Sequence, residues 1–374
     1  MTMVDRISKL PDEVLCHILS FLPTEEAVTT ILLSKRWRPL WPSLSTLDFD
    51  DFRFFRRRRD LQGKEKQNSD PSFINFVYAA ILSRDLHQPI KNFRLIWGES
   101  ESLGSHVKVW LNAAIQQRQV QNIKIRSCVS QVPCSILKCT TLVVLKLSSV
   151  VFDDFSTVDL PSLKTLHLKS VLIEKLQSFV ELLYGCPILE NLKARDVSFY
   201  DYELEGRVKS LPKLVRAEVL VFFQGYYIPV KAFSNVQFLL LDECDADIPV
   251  FPNLIYLELL FGGSIKFSLA LDMLNRCSKL QTVVFNLDGR DDVWPYPCSV
   301  PECFSSHLTK CILENFDAVE CHMRFARYVM QNSTSLRTLT ICSKKYLNYQ
   351  EKLQMITELA SYPRSSAICE LLFE

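Results

Sequence analysis

Hydrophobic positions follow one short pattern along most of the chain: a leucine-like residue, two spacers, a second such residue, one spacer and a third. Successive copies stand mostly about 20 to 30 residues apart. Neighbouring side chains of an extended strand point to opposite faces, so every copy predicts one short strand with its leucine-like residues turned inward. The clear copies are Leu142-Leu145-Leu147, Leu163-Leu166-Leu168, Leu189-Leu192-Ala194, Leu214-Ala217-Val219, Val236-Leu239-Leu241, Leu254-Leu257-Leu259, Leu280-Val283-Phe285, Leu308-Cys311-Leu313 and Leu336-Leu339-Ile341, with weaker ones at Ile90-Phe93-Leu95 and Val120-Ile123-Ile125.

A period of this length is typical of leucine-rich repeats, in which each unit adds one strand to a curved parallel sheet. Several copies open on the same phrase, as in Leu160-Pro161-Ser162-Leu163, and the proline marks where a repeat turns into its strand. The Asn or Cys that usually follows the strand occurs only as Cys128 and Cys244. We therefore expect an α/β chain whose repeats over 119–299 form an irregular solenoid.

Before the repeats, residues 10–41 predict three short helices. The first begins at Pro11, carries two acidic residues in its first turn and ends at Pro23. Thr24 and Ser34 are the expected caps of the second and third helices. So short a segment cannot bury all of its large apolar side chains, and part of this apolar surface is therefore expected to face outward.

The same stretch resembles an F-box, the module by which substrate receptors dock on the Skp adaptor of cullin ubiquitin ligases. The matching residues are Leu10-Pro11, Glu13, Ile18-Leu19, Leu22-Pro23, Ala27-Val28, Leu32-Leu33-Ser34 and Trp37. The resemblance implies that residues 1–48 bind a Skp-type adaptor through Leu10, Pro11, Glu13, Ile18, Leu19, Leu22, Pro23, Leu32, Leu33, Trp37 and Leu40. The alternative is a helical cap that shields the end of the repeat domain.

Residues 49–118 are expected to hold a linker and the first irregular repeats. The arginines of 56–59 allow two interpretations, a nuclear-import or phosphate-binding patch and a solvated turn between modules. The turn is preferred, because runs of like charge usually contact only water. Apolar spacing predicts helices over 71–82 and 106–117, and within the repeats over 175–184 and 268–276.

The last part of the chain departs from the repeat pattern. Its segments Pro301-Glu302-Cys303, Met323 to Asn332 and Pro363-Arg364-Ser365-Ser366 resemble the FBD region that closes many plant F-box proteins. The whole chain thus resembles plant proteins that join an F-box, leucine-rich repeats and an FBD region. Helices are expected over 319–331 and 349–361, together with a last strand pair. Residues 300–374 are therefore expected to cap the sheet, as the end of a solenoid requires.

Charge and cysteine content narrow the function classes. The 43 Lys and Arg residues nearly balance the 42 Asp and Glu residues, which leaves no global field to attract nucleic acid or an anionic membrane. The 13 cysteines form no regular framework, the N-terminus lacks a basic-then-apolar leader, and no uninterrupted run of about 18 apolar residues is present. We expect reduced thiols, a location in the nucleus or cytoplasm, and neither a membrane nor a nucleic-acid partner.

No catalytic site is evident in the sequence, and neither a cofactor nor a metal is expected. Cys298, Cys303, His307 and Cys311 are close enough in sequence to suggest zinc, but no pair has the spacing of a zinc ribbon. Cys311 also occupies the middle strand position of a repeat and is expected to face the core. Gly-rich phosphate loops and the Gly-x-Ser-x-Gly elbow of hydrolases are missing from the sequence.

The spacer residues of the strands are expected to line the open face of the sheet. They are basic in the N-terminal repeats and become apolar and aromatic further on. Aromatic and Arg residues dominate interface energies, so we expect a protein substrate to present acidic groups to the first part and a hydrophobic anchor to the second. The predicted substrate-binding residues are Lys169, Arg195, Arg216, Phe238, Leu240 and Tyr256. The alternative is that the lysines are only solvated and that a loop covers the apolar positions.

Together these features predict a non-catalytic substrate receptor of a Skp–cullin–F-box ubiquitin ligase. The F-box would hold the adaptor and the repeats would hold a protein substrate, so the receptor would contribute proximity and orientation rather than chemistry. Two alternatives stay open. The chain could be an interaction scaffold that no longer engages a ligase. It could also need a small molecule in its basic part, as the resemblance to plant hormone receptors permits.

Overall fold

The computed structural model describes residues 7, 9–62, 69–85, 87–98, 103–116, 119–155, 157–221, 228–242, 247–260, 267–287, 297 and 299–374, with the backbone alone at 57–62 and 69–70. The chain divides into two compact units. The first unit comprises Met1–Ile188 with Phe199–Asp201, and the second comprises Leu189–Ser198 with Tyr202–Glu374. Each unit is mixed α/β and is built on parallel strands.

Short helical segments open the first unit. They are helix α1 (Asp12–Leu19), helix α2 (Thr24–Thr29) and three 3-10 turns, Thr30–Leu32, Lys35–Trp37 and Trp41–Ser43. The expectation of a third α-helix starting at Ser34 is wrong, because two separate 3-10 turns occupy its place. Pro39 and Pro42 explain the interruption, since proline lacks the N–H that a continuing helix needs.

The rest of the first unit alternates parallel strands with helices. Its elements are β1 (Thr46–Asp50), α3 (Asp51–Gln62), α4 (Ser69–Leu82), β2 (Asn92–Ile96), α5 (Leu103–Gln116), β3 (Asn122–Gln131), a 3-10 turn (Cys134–Lys138), β4 (Val144–Phe152), β5 (Thr165–Lys169), β6 (Leu172–Lys175) and α6 (Leu176–Tyr184). Strands β1 to β5 pair in chain order, each parallel to the next, and β6 pairs with the end of β4.

The second unit continues the same arrangement and begins with most of strand β7 (Asn191–Asp201). Its further elements are β8 (Arg216–Val221), a 3-10 turn (Val230–Phe233), β9 (Phe238–Leu241), β10 (Tyr256–Leu260), α7 (Phe267–Leu274), β11 (Thr282–Asn286), α8 (Glu302–Ser306), β12 (Lys310–Phe316), α9 (Glu320–Asn332), β13 (Thr338–Ser343), α10 (Tyr349–Ser361) and β14 (Glu370–Phe373). Strands β7 to β14 pair in chain order and in parallel.

The leucine-like positions of successive repeats stack in register and form the core. Leu239 pairs with Leu257, which pairs with Val283, and all three side chains are fully buried. The register matters because a slip of one residue would turn these side chains to the opposite face of the sheet. The spacer residues between them consequently point to the other face, where any ligand of the sheet must lie.

Most predicted elements are present, and two predictions are wrong or incomplete. The helix expected over 349–361 is α10, whose N-terminus carries a capping box between Asn348 and Glu351 with bonds of 2.8 and 3.0 Å. The turn preferred for the arginines of 56–59 is wrong, because these residues belong to helix α3. Strand β1 was absent from the predicted repeats, although Leu44, Leu47 and Phe49 have the repeat spacing.

Candidate protein-interaction surfaces

One side of the N-terminal helical segment packs into the first unit. Leu15 and Leu19 of α1 are buried, and so are Trp37 and Leu40. Helix α1 contacts the turn Trp41–Ser43, and α2 contacts β1. The segment therefore has an interior that is continuous with the first strand of the sheet.

Polar contacts fix both helices of this segment. The Arg36 guanidinium lies 2.5 Å from the Asp12 carboxylate and donates to the Leu10 carbonyl at 2.9 Å. The Thr24 hydroxyl accepts the Asp48 N–H at 2.8 Å. The first contacts hold the start of α1 against the turn that contains Arg36, and the last holds the start of α2 against β1.

The other side of the segment exposes large apolar side chains, which we call the apolar set. It consists of Val14, Ile18, Phe21, Leu32 and Leu33. Val14 and Ile18 are spaced i and i+4 on one face of α1, and Phe21 follows two residues after the end of that helix. Phe21 is 76% exposed, Leu32 84% and Leu33 67%. So much exposed apolar surface on one small segment marks a site for another protein.

The predicted adaptor-binding residues fall on both sides of this segment. Pro11, Glu13, Ile18, Leu32 and Leu33 are exposed, while Leu10, Leu22 and Pro23 are half-buried. Leu19, Trp37 and Leu40 are at most 5% exposed, which corrects the expectation that they present a surface: they fill the interior. Val14 and Phe21 were missed, although the helical spacing of Val14 from Ile18 indicates a shared face.

In the second unit, three cations surround one buried carboxylate on the open face of the sheet. Glu218 of β8 is 1% exposed, and its oxygens lie 3.0 Å from Lys193 Nζ, 2.7 Å from an Arg195 nitrogen and 2.9 Å from an Arg216 nitrogen. Burial raises the pKa of the Glu218 carboxyl, but the hydrogen bonds from these cations outweigh burial and leave that pKa below its ordinary value. Glu218 is therefore ionised at neutral pH.

Arg216 belongs at the same time to a stack of planar side chains. Arg216, Phe238 and Tyr256 pair in register across β8, β9 and β10. The Arg216 Cζ lies 3.5 Å from the Phe238 ring centroid, and the Phe238 and Tyr256 rings are stacked with centroids 4.3 Å apart. The stack is a rigid, half-buried surface that can support an aromatic or aliphatic side chain of a partner.

Tyr256 is held at the far end of this stack by a carboxylate. Its hydroxyl donates to Glu258 at 2.9 Å. Burial and then this hydrogen bond raise the pKa of Tyr256, so the hydroxyl remains a donor at any physiological pH. Both ends of the stack, Arg216 and Tyr256, are thus oriented by acidic groups of the same face.

The predicted substrate-binding residues are divided between the two units. Lys169 ends β5 in the first unit and is exposed, whereas Arg195, Arg216, Phe238 and Tyr256 belong to the second unit. Leu240 is only 5% exposed, which corrects the expectation that it offers an open apolar contact. It pairs in register with Glu218 on one side and Glu258 on the other, and these longer side chains flank it. The sequence also gave no sign that Arg195 and Arg216 share Glu218.

The candidate zinc residues do not form a metal site in the described part of the chain, where no group of three or more His, Cys, Asp or Glu side chains could hold a metal ion. Cys298 lies outside the described residues, His307 is exposed, and Cys303 and Cys311 are buried. Burial raises the pKa of the Cys303 thiol to about 12, so the thiol stays protonated. No helix among the described residues is long and apolar enough to cross a membrane.

Three parts of the chain match known protein-family models. Residues 7–49 match the F-box domain, residues 107–218 match the LRR repeats of "FBD-associated F-box protein At5g56370", and residues 296–341 match FBD. The first match contains the whole apolar set. The second begins in α5 and ends at Glu218, and the third contains helix α9.

Full-length relatives share this order of domains. The chain is 30% identical to "F-box/FBD/LRR-repeat protein At4g26340" of Arabidopsis thaliana over 436 residues, which cover 99% of this chain and all of the relative. The chain belongs to the F-box/FBD/LRR-repeat family. It is also 29% identical to "FBD-associated F-box protein At4g10400" over 428 residues and 27% identical to "F-box/FBD/LRR-repeat protein At5g56420" over 438 residues, both of Arabidopsis thaliana, with at least 99% of each chain covered.

Family membership bears differently on the apolar set and on the stack of Arg216, Phe238 and Tyr256. The F-box of an F-box/FBD/LRR-repeat protein implies binding to a Skp-type adaptor, and the apolar set is the exposed apolar part of that domain. Members of the family are generally non-catalytic adaptors of the ubiquitin pathway. The stack of Arg216, Phe238 and Tyr256 lies outside the F-box match.

Proposed function

We propose that this chain is the substrate-recognition subunit of a Skp–cullin–F-box ubiquitin ligase. The observation that carries the proposal is the exposure of the apolar set on a segment whose own interior is already filled by Leu19, Trp37 and Leu40. The exposed side chains are not needed to complete that interior, and an adaptor that covered them would remove their contact with water.

The repeat part of the chain would hold the protein substrate. In the second unit we assign its contacts to the stack of Arg216, Phe238 and Tyr256 as the anchor site, with Arg195 beside it. In the first unit we assign a separate contact to Lys169. The buried carboxylate of Glu218 supports this assignment because it holds Arg216 in place before any partner arrives, which lowers the entropy lost on binding. The chain itself would supply proximity, and the ligase would supply the chemistry.

The same proposal includes a location in the nucleus or cytoplasm. The thiols of Cys186, Cys277 and Cys303 are free. Free thiols are typical of proteins of the cytosol and nucleus, because these compartments are reducing.

Co-purification with a Skp-type adaptor tests the first half of the proposal. The variant Phe21→Ser with Leu32→Ser removes two exposed members of the apolar set. Phe52→Ser with Leu82→Ser is the matched control, because these side chains are 55% and 79% exposed on other helices of the same unit. Burial of one such side chain is worth about 1.5–3 kcal/mol, so we expect adaptor affinity to fall at least about tenfold in the first variant and to hold in the control. Equal adaptor recovery from both variants would contradict the proposal.

Substrate capture tests the second half. Proteins that accumulate on the wild-type chain under proteasome inhibition should be lost from the variant Phe238→Ala with Tyr256→Ala. They should remain on the control Tyr346→Ala with Tyr349→Ala, which truncates two exposed tyrosines elsewhere in the second unit. If the captured proteins remain both on the variant Phe238→Ala with Tyr256→Ala and on the variant Lys169→Glu with Arg195→Glu, these residues do not bind the substrate and the second half of the proposal is contradicted.

A further inference from the structure

Four cationic side chains on the open face of the first unit stand next to one another without an acidic neighbour, and we call them the cation ladder. They are Lys124 and Arg126 of β3, Lys146 of β4 and Lys169 of β5. Lys124 pairs in register with Lys146. Arg126 pairs with Ser148, which in turn pairs with Lys169. Residues that pair in register on neighbouring parallel strands point to the same face, about 4.8 Å apart.

Nothing in the described part of the chain neutralises the ladder. Before the register shift in β3, the outward positions that pair across β3, β4 and β5 include no carboxylate. They are Asn122, Lys124, Arg126, Val144, Lys146, Ser148, Thr165, His167 and Lys169. None of the four ladder side chains forms an ion pair or hydrogen bond with another described residue. Like charges held this close repel one another, which disfavours the empty face.

The outward cations of other strands show that this is a local property. On the preceding strands, Arg94 is bound by the carboxylates of Asp48 and Asp50, the latter at 3.1 Å. In the second unit, Lys193, Arg195 and Arg216 each form an ion pair with the carboxylate of Glu218. Outward cations thus have acidic partners on β1 to β2 of the first unit and on β7 to β8 of the second, but not on β3 to β5.

We propose that the cation ladder docks an acidic segment of a protein substrate, one with Asp or Glu at alternate positions. This names the class of substrate and so rests on the proposed function. An extended segment places alternate side chains on one side about 7 Å apart, so three such carboxylates extend over about 14 Å, somewhat more than the roughly 10 Å from β3 to β5. Opposite charge on the two surfaces accelerates their encounter and selects the partner.

A nucleic acid fits this face less well. Proteins that bind single strands combine cations with aromatic side chains on which bases stack. The outward positions of β3 to β5 contain no Phe, Tyr or Trp. The aromatic stack of Phe238 and Tyr256 belongs to the other unit.

Fluorescence anisotropy with the full-length chain tests the ladder. The probe is a labelled peptide of about twelve residues with Glu at alternate positions, compared with the same peptide carrying Gln and with an oligothymidine of similar charge. The variant Lys124→Gln with Lys146→Gln neutralises two ladder positions. Lys108→Gln with Lys138→Gln is the matched control, because these exposed lysines lie on α5 and on the turn Cys134–Lys138 of the same unit.

We expect the Glu peptide to bind and the Gln peptide not to. The affinity for the Glu peptide should fall about tenfold in the ladder variant, which removes two of the four ladder charges, and should change little in the control. Raising the salt from about 50 to about 200 mM should weaken this binding. Equal loss in the ladder and control variants, equal binding of the Glu and Gln peptides, or tighter binding of the oligothymidine would overturn the proposal.

Adaptor co-purification keeps the two proposals apart. The ladder variant should recover a Skp-type adaptor at the wild-type level. If the peptide results fail while adaptor recovery persists, the ladder assignment alone is lost. If the wild-type chain binds the peptide through the ladder but recovers no adaptor, the ligase proposal is contradicted and the ladder remains a binding site.

Discussion

The guanidinium of Arg216 lies over the ring of Phe238, with its Cζ 3.5 Å from the ring centroid, while its nitrogens bind the buried carboxylate of Glu218. One side chain thus connects the charged and the aromatic parts of the open face. Without Glu218, three neighbouring cations would repel one another, and Arg216 would lose the group that orients it over the ring.

The Glu218 cluster predicts an acid-dependent loss of stability. Because the pKa of Glu218 is held below its ordinary value of 4.5, the stabilisation is present above that pH and is lost as pH falls through the lower folded-state value. The cations are about two-fifths exposed, so solvent screens the pairs, and Glu218→Gln should cost about 1–2 kcal/mol at neutral pH. Thermal unfolding from pH 7 to pH 3 should show the wild-type advantage shrinking below about pH 4.5; a constant difference would contradict this assignment.

His322 of α9 predicts a second pH dependence at higher pH. Burial lowers the pKa of this imidazole to about 4, and its Nδ1 lies 3.1 Å from both the backbone nitrogen and the backbone carbonyl oxygen of Asp317. The unfolded chain takes up the proton near pH 6.5 and the folded chain only near pH 4, so about 3 kcal/mol of stability should be lost between these values. Thermal unfolding of His322→Gln should show a flatter profile over this interval. A parallel decline of variant and wild type would refute the assignment.

Truncation of Leu19 should lower stability, whereas truncation of Leu32 should lower adaptor affinity, although the sequence predicts adaptor binding for both residues. Leu19 is 1% exposed, so Leu19→Ala should lower the free energy of unfolding by about 2–5 kcal/mol. Leu32 is 84% exposed, so Leu32→Ala should change it by less than about 0.5 kcal/mol and lower adaptor affinity instead. Chemical denaturation and adaptor titration on both variants distinguish the two roles. Equal destabilisation would show that Leu32 is also part of the interior.

Gly185 and Gly104 offer a matched pair of glycine substitutions. A Cβ at Gly185 would lie 2.4 Å from Val158 Cγ1 and 2.9 Å from the Val158 carbonyl, so Gly185→Ala must displace a neighbouring segment and should cost about 1–3 kcal/mol. A Cβ at Gly104 in α5 meets nothing within 4 Å, so Gly104→Ala should stabilise the chain by about 0.5 kcal/mol. Melting temperatures that shift in opposite directions would support both assignments, whereas a neutral Gly185→Ala would refute the first.

The strands were predictable because their signal is repeated and local. Each copy of the leucine pattern, such as Leu254-Leu257-Leu259, specifies which residues are buried, and the copies agree with one another. Strand β1 is missing from the predicted repeats because its copy of the pattern, Leu44-Leu47-Phe49, directly follows the F-box residues. A turn is predicted in place of helix α3 because the charge of the arginines at 56–59 favours a solvated segment. Arginine is nevertheless a good helix former.

Burial within the candidate sites was harder to predict, since it depends on contacts between distant parts of the chain. Apolar residues occupy both sides of α1, so the sequence does not show that Leu19 faces inward and Ile18 outward. Strand alternation assigns Leu240 to the open face, but Glu218 and Glu258 on the neighbouring strands flank it. The Glu218 cluster joins residues from two repeats, a relationship that becomes visible only when the strand register is known.

The hydrogen bond from the Asp48 N–H to Thr24 has a mechanical consequence. It crosses from helix α2 to strand β1, and the Arg84 guanidinium binds the Leu44 carbonyl just before that strand. The start of helix α2 is therefore bonded directly to β1, so a displacement of that helix would pull on the first strand of the sheet. A substrate docked on β3 to β5 would be presented at a set distance from the adaptor, so the reach needed to tag different lysines would have to come from other subunits of the ligase.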